Sequence, residues 1–277
     1  MGRDPVHQVR RVVGRGLRET SRVSAALAAR VAPWAVAPAG AAVPAAPAPV
    51  ASPRRAPVPA GRSGGHDYGA LWSPGDEDDA RGLILNEQDD VVFERTGRAD
   101  AEHLAAYVAP GATALDYGCG IGRVARYMAP HCGLLWAVDA SPAMLRMARQ
   151  RLAAQGSVRL SRSTGTAIPE VPDGSVDFVY SLLVLQHVER EDAFAIMREF
   201  HRVLRPGGRA WLTFPNLLSD AYLGGFLEYV ATGQSSNAAR ARMYTPQEVE
   251  RLLPAAGFTV DALDPAENIG VLVTRTG

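Results

Sequence analysis

The stretch ALDYGCGIGRVARYM, from Ala114 to Met128, concentrates the residue types that hold a charged small molecule against backbone. Gly118, Gly120 and Gly122 alternate with Cys119 and Ile121, and Asp116 stands two residues ahead of the first glycine. Glycine reaches backbone conformations closed to other residues and lets a ligand approach the main chain. A helix that starts behind such a turn offers unpaired N–H groups. Two chemistries compete for this pattern. A dinucleotide turn needs G-x-G-x-x-G, and counted from Gly118 its third glycine falls on Arg123. A bulky side chain there hampers the close helix–strand packing of a dinucleotide turn, and Asp116 would face a pyrophosphate of its own sign. A ligand that carries an ammonium and a sulfonium suits that carboxylate instead.

Further polar groups follow at regular intervals. Asp139 ends the apolar run LLWAVD, 21 residues after Gly118. A carboxylate at the end of a second strand can accept both ribose hydroxyls of a nucleoside. The triplet Gly165-Thr166-Ala167 precedes an apolar-Pro pair, and His187 follows the run VDFVYSLLV. A histidine titrates near neutral pH and could serve as a general base. The same position suits a structural histidine near a helix start, and both readings stay open.

These residues sit on alternating elements. Short apolar runs at Ala112–Asp116, Leu134–Asp139, Ser157–Ser163, Val176–Val184 and Arg209–Phe214 read as strands. Arg123–Ala129, Pro142 to about Ala154, and Asp192–Leu204 read as helices, the last stopped by Pro206, Gly207 and Gly208. Thr245 and Glu248 spell a capping box for a helix that ends at Gly257. Phe258–Leu263 and Gly270–Thr274 read as a terminal hairpin. The pattern predicts an α/β fold, a Rossmann-like three-layer sandwich around a seven-stranded, mostly parallel sheet with an antiparallel C-terminal hairpin strand.

From about Val91 onward the chain resembles the class I S-adenosylmethionine-dependent methyltransferases, particularly the type 11 and type 25 small-molecule groups. The motifs that carry the likeness are the glycine turn, VDASPAML (Val138–Leu145), TGTAIPEVPDGSVDFVYS (Thr164–Ser181), SLLVLQHV (Ser181–Val188) and EFHRVLRPGGRAWLTFP (Glu199–Pro215). The resemblance implies S-adenosylmethionine as cofactor. It puts Asp116 beneath the methionine ammonium, with Gly118, Cys119, Gly120 and Arg123 forming the turn. It puts Asp139 on the ribose with Ala140 beside it, and Met144 on the adenine. Thr166 and the Ala167 N–H are assigned to the adenine edge, although many relatives carry Asp where Thr166 stands. Leu182 and His187 would lie beside the methionine moiety, and His187 is the candidate catalytic base. The acceptor site would draw on Trp72, Phe93, Tyr222, Phe226 and Tyr244, the last three from an aromatic, lid-like insertion at 216–244.

Composition bounds the rest. The chain has 277 residues, 47% hydrophobic and 21% charged, with a formal net charge of zero. That suits one folded domain and argues against a general nucleic-acid binder. All basic residues are Arg; ten lie before His66 against only Asp4 and Glu19. Residues 1–31 read as a basic, helix-patterned arm able to touch a membrane surface or a partner, 32–65 as an Ala/Pro-rich disordered linker, and 66–277 as the folded domain. Two cysteines, Cys119 and Cys132, build neither a disulfide framework nor a metal site, which suits the cytoplasm. No Asp-Pro-Pro-Tyr-type or Pro-Cys element is present, and there is no Lys. These absences favour a small-molecule methyl acceptor over a nucleic acid. The competing readings are a catalytically silent S-adenosylmethionine-binding scaffold and an NAD-dependent oxidoreductase.

Overall fold

The apolar runs pair into one seven-stranded sheet in the computed structural model, which describes residues 66–85, 89–233 and 240–277. The arm at 1–31 and the linker at 32–65 lie outside the described residues, as does 234–239 of the insertion. The described residues open with three helices, α1 (Tyr68–Leu71), α2 (Glu77–Leu85) and α3 (Asp90–Ala105). Then follow β1 (Thr113–Tyr117), α4 (Ala125–Met128), β2 (Leu134–Asp139), α5 (Pro142–Arg151), β3 (Val158–Arg162) and β4 (Val176–Ser181). The second half holds α6 (Arg190–Val203), β5 (Leu204–Pro215), α7 (Asp220–Ala231), α8 (Pro246–Ala256), β6 (Phe258–Pro265) and β7 (Asn268–Arg275). The strand order is β3-β2-β1-β4-β5-β7-β6, parallel except where β7 runs against β5 and β6. A doubly wound dinucleotide sheet keeps its sixth strand parallel in the order 3-2-1-4-5-6. The antiparallel β7 between β5 and β6 departs from that plan.

Strand alternation splits the core into two layers. On one face Leu115, Tyr117, Val179, Leu212 and Phe214 pack with α6 and α8. On the other Ala114, Phe178, Tyr180 and Trp211 pack with α3, α4 and α5. Successive strand residues point to opposite faces, so each strand serves both layers. α6 buries Ala193, Ile196, Met197, Phe200 and Val203, the apolar stripe of a 3.6-residue period. Its first turn carries Glu191 and Asp192 and its last His201 and Arg202, which complement the helix dipole.

The largest boundary difference from the sequence expectation lies at β5. β5 starts at Leu204, not at Arg209, because Leu204 already pairs with Val176 before the register jumps to Phe178 and Arg209. The Arg-Pro-Gly-Gly segment is therefore a bulge inside the strand, with Gly207 at a φ of 73°.

The capping box at α8 is complete. Thr245 Oγ1 accepts from the Glu248 N–H at 3.3 Å, and Glu248 Oε2 accepts from the Thr245 N–H at 2.7 Å. Thr245→Ala is expected to cost about 1 kcal/mol, read as a lowered urea midpoint at unchanged slope. No helix among the described residues is long and apolar enough to cross a membrane.

Candidate functional site

β1 and β4 adjoin in the middle of the sheet, and their carboxyl ends open onto a cleft of about 720 Å3, counted with its open mouth. Its floor is the turn after β1. Gly118 and Cys119 both donate to the Val138 carbonyl, at 2.8 and 2.9 Å, which docks the turn on β2. Gly118, Gly120 and Gly122 have φ of 79°, 54° and 86°, values that side chains rarely tolerate. A Cβ on Gly118 would come within 2.2 Å of Val184 Cγ2, and one on Gly120 within 2.8 Å of Ile84 Cδ1.

Asp139 stands at the carboxyl end of β2, on the wall of the cleft. Its Oδ2 accepts from the Gly120 N–H at 2.9 Å and its Oδ1 from the Ser141 N–H at 2.8 Å. Burial pushes its pKa up, and the amides of Ser141, Gly120 and Ala140 pull it back. Each oxygen keeps a lone pair for a further donor. The carboxylate is thus aimed before any ligand arrives. Ser141 also caps α5, accepting from the Met144 N–H at 3.2 Å, which sets Met144 in the cleft.

The opposite wall comes from the turn after β4. Leu183 holds a φ of 60°, and among the described residues no other non-glycine residue has a positive φ. Its N–H donates to Thr213 Oγ1 at 3.0 Å, which anchors this strained backbone. Strained residues of this kind cluster at ligand sites. The roof is the chain that precedes the sheet: Tyr68, Trp72, Leu83 and Ile84. Tyr68 is fixed by donating to Asp192 Oδ2 at 2.5 Å and accepting from the Glu189 N–H at 3.1 Å. The Trp72 and His187 rings lie 4.6 Å apart, and His187 Nε2 is 3.1 Å from the Gln186 side-chain nitrogen.

The structure therefore brings Gly118, Gly120, Asp139, Ala140, Met144, Leu182, His187 and Trp72 to one cleft. It does not bring the other sequence candidates there. Cys119 is buried in the core beside the turn, where burial raises its thiol pKa. Arg123 is buried and pairs with Asp100 at 2.6 Å and with Thr96 Oγ1 at 3.3 Å, so it ties α3 to the turn. Thr166 is buried behind Gly165 and Ala167 is off the lining; Ser163 and Gly165 line the cleft in their place. Phe93 is fully buried with Ala80, Ile121, Met144 and Met147. Tyr222 is buried with its hydroxyl on Asn268 Oδ1 at 2.8 Å. Tyr244 is fully buried against Phe214, with Arg190 above its ring. Phe226 points to solvent. Sequence reasoning missed Tyr68, Leu83, Ile84, Tyr117, Ser163, Gly165, Leu183, Val184 and Val188 as lining residues. Tyr117, Gly165, Leu183, Val184 and Val188 lie inside motifs already singled out, whereas Tyr68, Leu83, Ile84 and Ser163 lie outside them.

Asp116 is also off the lining and nearly inaccessible, under the turn. Burial pushes its pKa up to about 7, against the pull of the nearby Arg123. The folded state then holds a proton that the unfolded chain releases near pH 4. Stability accordingly falls as pH rises from about 4 to about 7. Asp116→Asn is expected to flatten that part of the stability profile, measured as the denaturant midpoint across the pH series. An unchanged slope would contradict the buried, protonated carboxyl.

The comparisons agree with this geometry. A family model described as a methyltransferase domain, type 11, matches residues 115–212. The chain is 36% identical over 166 residues to an uncharacterized 37.1 kDa protein of a Streptomyces fradiae transposon, covering 58% of this chain and 47% of that protein. It is 33% identical over 114 residues to a ubiquinone biosynthesis O-methyltransferase of Pseudomonas paraeruginosa, covering 41% and 48%. It is 34% identical over 106 residues to phosphoethanolamine N-methyltransferase 2 of Caenorhabditis elegans, covering 38% and 24%. The chain thus spans about half or less of the length of these three relatives. Among solved structures, a putative methyltransferase from Bacillus halodurans superposes with a TM-score of 0.54 at 18% identity, over 66% of this chain and 100% of that one. The magnesium protoporphyrin IX methyltransferase of Synechocystis, solved with bound SAH, superposes with a TM-score of 0.54 at 21% identity, over 71% and 92%. These superpositions show a shared fold. Residues 115–212 thus match the type 11 methyltransferase-domain family model, within a fold shared with solved methyltransferases.

Proposed function

We propose that the chain transfers the methyl group of S-adenosylmethionine to a small-molecule acceptor in the cleft between β1 and β4. The observation that carries the reading is the Asp139 carboxylate, held by the Gly120 and Ser141 amides on the wall above the glycine turn. The residues present fit the cofactor. Gly118 and Gly120 leave bare backbone on the cleft floor, where side chains would collide with Val184 and Ile84, and Asp139 faces it with spare acceptor capacity. When bound, S-adenosylmethionine supplies a methyl group on a sulfonium that carries its own leaving group.

The chain's work is alignment and exclusion of water. Asp139 accepts the two ribose hydroxyls. The turn at 118–120 admits the amino-acid end, and the backbone of Leu182 and Leu183 flanks it. Tyr68, Trp72, Leu83 and Ile84 close the roof, which keeps water from the reacting atoms. His187, at the lining beside Trp72, can take a proton from an acceptor that must lose one. Two relatives are named for O- and N-methylation, so hydroxyl and amine acceptors are the first to test. The antiparallel β7 and the buried Arg123 pair weigh against the NAD-dependent reading. The two cysteines are free and buried, which agrees with action in the reducing cytoplasm.

The test is incubation of the full chain with methyl-labelled S-adenosylmethionine and a small-molecule extract fraction. Label is expected in a small molecule. Binding of the cofactor without transfer to any acceptor would favour the silent scaffold.

A further inference from the structure

The exposed apolar side chains are not scattered. Six large hydrophobic residues are exposed among the described residues, and five of them are Leu218, Leu223, Phe226, Leu227 and Val230. Residues 223, 226, 227 and 230 have the i, i+3, i+4, i+7 spacing of one helix face. That helix is α7, the described part of the aromatic insertion. It turns Tyr222 inward and rests on the 243 segment, where a methyl group added at Gly225 would lie 3.8 Å from Met243 Cε. Beyond the exposed Asp220 of its first turn, its solvent face is apolar from Leu223 to Ala231, with Gly224 and Ala231 also exposed. A contiguous exposed apolar face on a soluble domain marks an interaction site.

The start of the described chain lies close by. Tyr68, two residues after His66, accepts from the Glu189 N–H at 3.1 Å. Glu189 pairs with Arg242, the neighbour of Met243 beneath α7. The described chain thus begins, at His66, within a few side chains of the apolar face. Residues 1–65 carry ten arginines against two acids, while the remainder of the chain is acidic in balance.

We propose that the exposed face of α7 docks on an anionic lipid bilayer, the surplus of arginine over acid in residues 1–65 matching the charge of that surface. Two features favour a bilayer over a protein partner. Protein interfaces carry about one hydrogen bond per 100–200 Å2, and the exposed positions 223, 224, 226, 227, 230 and 231 offer no side-chain donor or acceptor. Apolar helix faces enter the acyl boundary, and basic segments are drawn to anionic leaflets in a salt-dependent way. Docking there would set the cleft roof, which starts at Tyr68, near the membrane surface. The proposal does not depend on methyl transfer.

The test is co-sedimentation of the full chain with phosphatidylcholine vesicles, with and without phosphatidylglycerol. The protein is expected to sediment with the anionic vesicles, less so as salt rises. The double variant Phe226→Glu, Leu227→Glu should lower partitioning by at least about tenfold, as burial of two large apolar side chains implies. Replacing Arg10, Arg11, Arg15, Arg18 and Arg22 by Gln should weaken binding to the anionic vesicles. S-adenosylhomocysteine titration reports folding and the cofactor reading separately, and both variants should retain it. Equal sedimentation of wild type and the double variant would overturn the proposal. So would no sedimentation of wild type, including the case of a dimer that the double variant abolishes.

Discussion

Asp139→Ala is expected to weaken S-adenosylhomocysteine binding by about 100-fold, measured by isothermal titration. A hydrogen bond to a charged acceptor contributes roughly 1.5–3 kcal/mol, and two ribose hydroxyls share this carboxylate under the proposed reading. Every 1.4 kcal/mol is about tenfold, so loss of both bonds at the low end of that range gives about the stated factor. The same substitution removes the acceptor for the Gly120 and Ser141 amides. Asp139→Asn separates the two effects. It keeps one oxygen for an amide and loses the charge, so it should fall between wild type and Asp139→Ala. A weakening under about threefold in Asp139→Ala would remove Asp139 from the proposed site.

Gly118→Ala should damage both the cradle and the fold. The new Cβ would stand 2.2 Å from Val184 Cγ2 and 2.8 Å from its Cγ1, at a φ of 79°. Val184 itself lines the cleft, so any relief by its movement narrows the site. Strain at a left-handed position costs on the order of 1–3 kcal/mol, which should lower Tm by several degrees. Gly118→Ala with Val184→Ala relieves the clash but not the backbone strain. The double variant should recover part of the ligand affinity and little of the lost Tm. Full recovery of both would show that the backbone conformation of the turn is unimportant.

Much of this was legible in the sequence because local chemistry dictates it. Gly118, Gly120 and Asp139 announce themselves by residue type and spacing, and the strand ends that carry them follow from apolar runs. Thr245 and Glu248 form their capping box within four residues. What was not legible depends on packing between distant segments. Tyr68, Trp72, Leu83 and Ile84 form the roof only because the chain before the sheet folds back over its carboxyl edge; of these, only Trp72 stood out as a large aromatic. Leu183 carries a positive φ that no propensity predicts, since the fold imposes it through Thr213. The aromatic residues of the insertion misled in an instructive way. Tyr222 and Tyr244 are aromatic because they fill core space, and Phe226 because its face looks outward. Residue type marks apolar surface, but only the packing decides whether that surface is cleft, core or exterior. Asp116 shows the same limit. Its place ahead of the turn suggested a ligand contact, yet β1 buries it on the α3–α5 side, near Arg123.

The central claim is that the cleft between β1 and β4 binds S-adenosylmethionine through Asp139 and the glycine turn. Isothermal titration of the full chain with S-adenosylhomocysteine, run in parallel with NAD, tests it most directly. The account predicts saturable binding of S-adenosylhomocysteine at a single site, weakened about 100-fold in Asp139→Ala, and no heat with NAD. Saturable NAD binding with no S-adenosylhomocysteine binding would contradict it.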